Sequence, residues 1–190
     1  MKLDRILPFV KILLKKSVNP GDIAVDATLG NGHDTVFLSE LVGDTGKVYG
    51  FDVQDQAIAA TTERLKQQGM LERAELFHDG HEHAASHIPA SDHGKITGVV
   101  FNLGYLPGSD KRIVTKPETT ISAINQLLGI MAPEGILVLV VYHGHEGGET
   151  ERDALLHYCS QIDQKTAHVL QYQFINQEHN PPFIIAIEKI

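Results

Sequence analysis

Five apolar runs in this chain end on a polar residue: Ile23 to Asp26, Lys47 to Asp52, Ala74 to His78 followed by Asp79, Ile96 to Asn102, and Gly135 to His143. If these runs are neighbouring strands, Asp26, Asp52, Asp79, Asn102 and His143 line one rim, where ligands of open α/β sheets bind. Carboxylates there accept hydrogen bonds from hydroxyls and amines, and an asparagine oxygen can hold an amine. An imidazole of ordinary basicity can take the proton an attacking amine must lose.

The stretch IAVDATLGNGHD, residues 23–34, joins the first run to a glycine-containing turn and a helix start, with Thr28, Gly30, Asn31, Gly32 and Asp34 beside whatever small molecule sits above the sheet. One reading is a dinucleotide site, since Asp52 follows the glycines at about the spacing of a ribose-binding acid. Thr35 stands where that fingerprint has its third glycine, however, and Asp34 would repel a docked pyrophosphate. S-adenosylmethionine fits better, because it has no phosphate and carries a sulfonium and an ammonium. Asp52 would then accept from the ribose hydroxyls and Asp79 from the adenine amine. The plainer alternative for both acids is a turn at a strand end.

The elements that must position these groups are legible in the periodicity. Residues 3–17 read as an amphipathic helix with a late start or kink at Pro8, closing before Asn19-Pro20. Helices are predicted over 35–41, 55–68, 117–131 and 149–162, with a weaker one over 80–94. Two further strands, 168–175 and 183–188, come close together at the end. Strand and helix alternate five times, which predicts one α/β domain over residues 1–190, an open, mostly parallel sheet ending in an antiparallel hairpin. The continuous apolar run GILVLVVYH suits a strand buried on both faces.

Asn102-Leu103-Gly104-Tyr105 resembles the (Asp/Asn)-Pro-Pro-(Tyr/Phe) signature of amine-directed methyltransferases, in which the Asn oxygen holds the acceptor amine and the aromatic ring packs on the base. Leu103 and Gly104 replace the two prolines. Lys111, Arg112 and Lys116 follow, beyond Pro107-Gly108, as a local positive cluster able to contact RNA phosphates or to be a solvated loop. His143 and His145 are both candidate bases. Their His-x-His spacing, with His78, His81, His83 and His87, also raises a metal site, but no carboxylate or cysteine set completes a coordination shell and no metal is expected.

Longer blocks carry a wider resemblance: DATLGNGHDT (26–35), YGFDVQ (49–54), DGHE (79–82), FNLGYLPGSDK (101–111), VTKPETT (114–120), VYHGHEGG (141–148) and the terminal PPFIIAIEKI. They are similar to a small bacterial family once labelled rRNA methylases and now associated with methylating 5-aminomethyl-2-thiouridine at the tRNA wobble position. The resemblance implies a Rossmann-like class I S-adenosylmethionine-dependent methyltransferase with a seven-stranded sheet, its last strand antiparallel, and helices on both faces. It implies Asn31, Asp34, Asp52, Gln54, Asp79, Gly80 and His81 around the cofactor, and Asn102 and Tyr105 at the acceptor. Thr28 stands where the general methyltransferase pattern has its first glycine. The alternatives from residues alone are a methyltransferase for rRNA or a small amine, or a noncatalytic nucleotide-binding module.

Composition sets the outer bounds. Hydrophobic residues at 42% and charged residues at 21% suit a globular protein. One cysteine, Cys159, forms no internal disulfide, no signal peptide or membrane span is evident, and a cytoplasmic location is expected. A net charge of −8 argues against coating nucleic acid through a general basic surface, so contact with tRNA is expected at the anticodon arm alone, with a shallow salt dependence. The sequence leaves oligomeric state open, a homodimer included.

Overall fold

The computed structural model describes residues 2–106, 108 and 113–190. Lys111 and Arg112, expected to contact RNA, lie outside the described residues.

Seven strands form one sheet in the order β3-β2-β1-β4-β5-β7-β6. They are β1 (Ile23–Asp26), β2 (Lys47–Asp52), β3 (Ala74–His78), β4 (Ile96–Leu103), β5 (Met131–Val141), β6 (Ala167–Tyr172) and β7 (Phe183–Lys189). The first five run parallel, and β7 lies antiparallel between β5 and β6. The chain begins at the centre, runs outward to β3, then crosses back to place β4 beside β1. Strand order therefore reverses between β1 and β4, and a crevice opens at their carboxyl ends.

Alternation along the central strands splits the core in two. Val99, Phe101, Leu137, Leu139 and Val141 face one side; Val100, Val138 and Val140 face the other. The first side is covered by α4 (Ala84–His87), α5 (Pro117–Ile130) and α6 (Gly148–Ser160); the second by α1 (Ile6–Ser17) and α2 (His33–Val42), with α3 (Asp55–Gln67) beside α2. Burial on both faces is why β4 and β5 read as unbroken apolar runs. Helix α1 starts at Ile6, so Pro8 falls in the first turn, where a missing amide proton costs no intrahelical bond.

Three boundaries differ from the pattern. Met131 satisfies the helical period of α5 yet is the first residue of β5, paired with Ile96; a register shift before Gly98 absorbs the residues up to Gly135, with Glu134 at φ 62°. The expected helix over 80–94 is instead a 3-10 turn at His81–His83, the single turn of α4, and a second 3-10 turn at Ala90–Asp92. Pro89 separates the last two, as its ring cannot continue a helix. Strand β6 ends at Tyr172, earlier than expected.

Candidate active site

The crevice at the β1/β4 switch is a cleft of about 1370 Å³, above the range typical of one small-molecule site. Thr28, Gly30, Asn31, Asp34, Asp52, Gln54, Asp79, Gly80, His81, Asn102, Tyr105, Lys116, His143 and His145 all line it. Asp26 and Gly32 do not.

Asp26, fully buried under the turn, accepts hydrogen bonds from the Thr28 amide (3.2 Å) and the Thr35 hydroxyl (2.6 Å). Burial, reinforced by Asp34, pushes its carboxyl up to about 7. It braces the floor of the site from below, because β1 has neighbours on both edges and its end is covered. Gly32, the residue before α2, has φ 75°, and a Cβ there would lie 2.9 Å from Thr61. That glycine lets the turn close against α3.

The turn is tied to β2 through Asp52. One carboxylate oxygen accepts from the Gly30 amide and the other from the Gln54 amide, both at 3.0 Å. The carboxylate is thus fixed facing the cleft with acceptor capacity remaining on each oxygen. At the end of β3, Asp79 is spanned by two imidazoles: His83 Nδ1 donates to one oxygen (2.9 Å) and His87 Nε2 to the other (2.8 Å). These bonds, led by that from His87, hold its carboxyl well below the usual range.

His81 donates from Nδ1 to the Ala27 carbonyl at 3.1 Å, since a carbonyl can only accept. Its Nε2 then carries a lone pair, buried and without a protein partner on the cleft wall. Burial lowers its basicity, so the ring stays neutral. The acceptor end is built the same way. Asn102 donates from Nδ2 to Asp34 Oδ2 at 2.5 Å, and its backbone amide donates to the Thr28 hydroxyl at 2.7 Å. The Asn102 side-chain oxygen is left for something else.

The two histidines after β5 separate clearly. His143 is 6% exposed; its Nε2 donates to the Pro181 carbonyl (3.1 Å) and its Nδ1 receives Arg152 Nη1 (3.5 Å). Both ring nitrogens are engaged. His145 donates from Nδ1 to the Glu146 carbonyl (3.0 Å), and its Nε2 is buried without a hydrogen-bond partner, with the ring edge-on to Tyr105 at 6.0 Å. His145 is the one with a lone pair to offer.

Gly104 has φ 145°, which proline's ring forbids, so the loop after β4 takes a path the proline signature does not. It is held instead by Thr115, whose hydroxyl receives the Gly104 amide (3.0 Å) and donates to Glu151 (2.7 Å), and whose amide donates to the Gly104 carbonyl (3.0 Å). Thr120 donates to the other Glu151 oxygen at 3.1 Å. Glu151, 2% exposed on α6, has its carboxyl raised by burial. Sequence reasoning missed Glu151, Thr115 and the cleft residues Tyr142, Leu7 and Lys11. Thr115 and Tyr142 lay within recognised blocks, whereas the others carried no local signal. Among the described residues no group of three or more histidine, cysteine or carboxylate side chains is placed to hold a metal ion; His83 and His87 each commit a ring nitrogen to Asp79.

The lining therefore offers Asp52, the Asn102 oxygen and the lone pairs of His81 and His145, with Asp34 in the first turn of α2. Acceptors and carboxylates without a phosphate cradle fit a ligand bearing hydroxyls, amines and positive charge, as S-adenosylmethionine does. Fold and site together define a class I S-adenosylmethionine-dependent methyltransferase. Residues 48–188 match the family described as "Putative rRNA methylase", and the chain belongs to that family. It is 32% identical, over 94% of its length and 67% of the relative's, to the chloroplastic tRNA (mnm(5)s(2)U34)-methyltransferase of Arabidopsis thaliana. Among solved structures, a protein of Clostridium thermocellum described as "putative rRNA-methylase" matches over the whole of both chains with 40% identity and a TM-score of 0.96. SMU.1697c of Streptococcus mutans, described as "a putative methyltransferase" and solved in complex with SAH, matches over 99% of each chain with 38% identity and a TM-score of 0.90. Among the described residues no helix is long and apolar enough to cross a membrane.

Proposed function

We propose that this chain, acting as a single catalytic domain, methylates the aliphatic amine of 5-aminomethyl-2-thiouridine at the tRNA wobble position, giving 5-methylaminomethyl-2-thiouridine. The observation that carries the reading is the pairing of an amine holder with a base: an Asn102 oxygen freed by Asp34, and the unpartnered His145 Nε2 on the same cleft. An aliphatic amine is mostly protonated near neutral pH, so it needs both. The Arabidopsis relative's name describes the same modified position.

S-adenosylmethionine, when bound, supplies an electrophilic methyl group on a positively charged sulfur. Thr28, Gly30, Asn31 and Asp34 would hold its methionine end, and Asp52, Gln54, Asp79, Gly80 and His81 would hold its nucleoside. His145 Nε2 accepts one proton from the substrate ammonium. The Asn102 oxygen holds a remaining N–H, which aims the nitrogen lone pair, and such positioning supplies much of the rate. Tyr105 packs on the base, while Lys111, Arg112 and Lys116 contact phosphates of the anticodon arm. His143 positions the loop that carries His145.

Nucleoside mass spectrometry of tRNA from cells lacking the gene tests this. The expected result is accumulation of the unmethylated aminomethyl nucleoside, restored to the methylated form by the purified protein and S-adenosylmethionine. An unchanged tRNA profile refutes the assignment.

A further inference from the structure

Charge in this chain is segregated. Residues 2–16 hold five of its 16 lysines and arginines (Lys2, Arg5, Lys11, Lys15, Lys16) against one of its 24 acids, Asp4. All five basic side chains are exposed, on a protein whose net charge is −8. The apolar stripe of the same helix, Ile6, Val10, Leu13 and Leu14, is buried on the sheet. What α1 presents outward is a positive surface.

That surface adjoins the active site. Leu7 and Lys11 line the cleft that also holds Asn102, Tyr105 and His145. Leu7, Lys11 and Lys15 lie at four-residue steps, so they form one stripe running from the cleft along the helix. Lys11 and Lys15 sit over the Phe37 ring, 4.9 and 5.9 Å from its centre. A ring face holds each ammonium from one side and leaves its remaining N–H groups outward. The two are separated by about 6 Å along the helix axis, a step commensurate with neighbouring phosphates on a nucleic acid strand.

We propose that the Lys11–Lys15 face of α1 is a docking surface for the phosphodiester backbone of the RNA whose base enters the cleft. It rests on the proposed tRNA substrate and adds a contact surface separate from the cluster after Pro107. Lys116 lines the same cleft from the other chain segment, so the RNA is held by positive charge from two elements. An anionic membrane is the other partner that basic helices recognise, but Ile6, Val10, Leu13 and Leu14 are buried on the sheet, and the exposed Leu3 and Leu7 make a small apolar face for insertion.

The test compares wild type with Lys11→Ala/Lys15→Ala, and with a control pair, Lys95→Ala/Lys165→Ala. Filter binding of tRNA carrying the unmethylated aminomethyl nucleoside over a salt series is combined with a methylation assay and with calorimetry of S-adenosylmethionine. Loss of two phosphate contacts should weaken tRNA binding by roughly tenfold and flatten the log–log salt slope by about 1.4. Cofactor affinity and the control pair should be unchanged. Wild type that binds and methylates tRNA while the α1 variant keeps its affinity and slope overturns the docking surface alone. Wild type that binds no tRNA overturns the docking surface and the substrate reading together. Binding to phosphatidylserine-containing vesicles that the α1 variant loses, with tRNA affinity intact, likewise overturns it in favour of a membrane contact.

Discussion

Asn102 at the end of β4 donates its side-chain N–H to Asp34 Oδ2 in the first turn of α2, 2.5 Å away and 68 residues distant in sequence. A carboxylate can only accept, so Asp34 dictates which end of the Asn102 amide faces the cleft. Replacing it with Asn removes that instruction, since an amide can donate as well as accept. A charge-assisted bond of this kind contributes about 1.5–3 kcal/mol, so Asp34→Asn should lower kcat by roughly 10- to 100-fold. Asn102→Ala should be at least as damaging. If Asp34 acts through Asn102, the double variant will be no slower than Asn102→Ala, and a double-mutant cycle on single-turnover rates reads the coupling. Additive losses would mean that Asp34 acts elsewhere.

His143 and His145 are two residues apart in sequence but differ in what their nitrogens have left to offer. His145→Gln should reduce kcat and move the acid limb of the kcat–pH profile to higher pH, because without Nε2 the substrate ammonium must lose its proton to solvent. His143→Gln should retain that limb and lower the melting temperature by several degrees, since it disturbs a ring bonded to Pro181 and Arg152. Parallel pH–rate profiles and thermal melts separate the two; a displaced limb in His143→Gln with an unmoved one in His145→Gln would reverse the roles.

Buried Asp26 predicts a pH-dependent stability. Its carboxyl is raised in the folded protein to about 7 from an ordinary value of 3.8. Below the ordinary value both states are protonated and the stability is fully present. As pH rises from about 4 the unfolded chain ionises first, and stability falls until the folded carboxyl also ionises near 7. Asp79 works in the opposite sense, its lowered carboxyl adding stability only above the range where it ionises, so its effect lies below pH 4. Asp26→Asn can keep both hydrogen bonds, accepting from the Thr28 amide and donating to the Thr35 hydroxyl. In urea titrations it should match wild type near pH 3 and exceed it at pH 8 by a few kcal/mol at most, since a tenfold change in proton affinity corresponds to about 1.4 kcal/mol. A difference independent of pH would show that the Asp26 carboxyl ionises at its ordinary value.

What the sequence could and could not convey follows from the range of each cause. The sheet, its hairpin and the helix on each face arise from local periodicity, and most strand-ending polar residues do reach the rim. The rule fails at Asp26 because a strand-end position does not say whether the side chain lies above the floor or beneath it. Met131 fits the helical and the strand period alike, so only its pairing with Ile96 assigns it. His143 and His145 look equivalent until Pro181, 38 residues on, occupies one of them. Glu151 and Lys11 lie on helices whose spacing predicts a fold and nothing about a site.

Glu151 makes the last of these points testable. Its carboxylate joins α6 to the loop after β4 and to the first turn of α5, through the hydroxyls of Thr115 and Thr120. Thr115 in turn holds both backbone groups of Gly104, the residue before Tyr105. Glu151→Ala would leave two hydroxyls and a cavity in a place closed to water, and removing one partner of a buried bond costs about 1–3 kcal/mol. The expected outcome is a lower melting temperature, a kcat reduced tenfold or more and a raised KM for tRNA. Affinity for S-adenosylmethionine should hold, because the cofactor-facing turn is anchored separately by Asp26 and Asp52. Glu151→Gln can accept from Thr115 and donate to Thr120, so it should recover most of the rate. Equal losses in both variants would mean that the negative charge, and not the strut it forms, is what the acceptor loop requires.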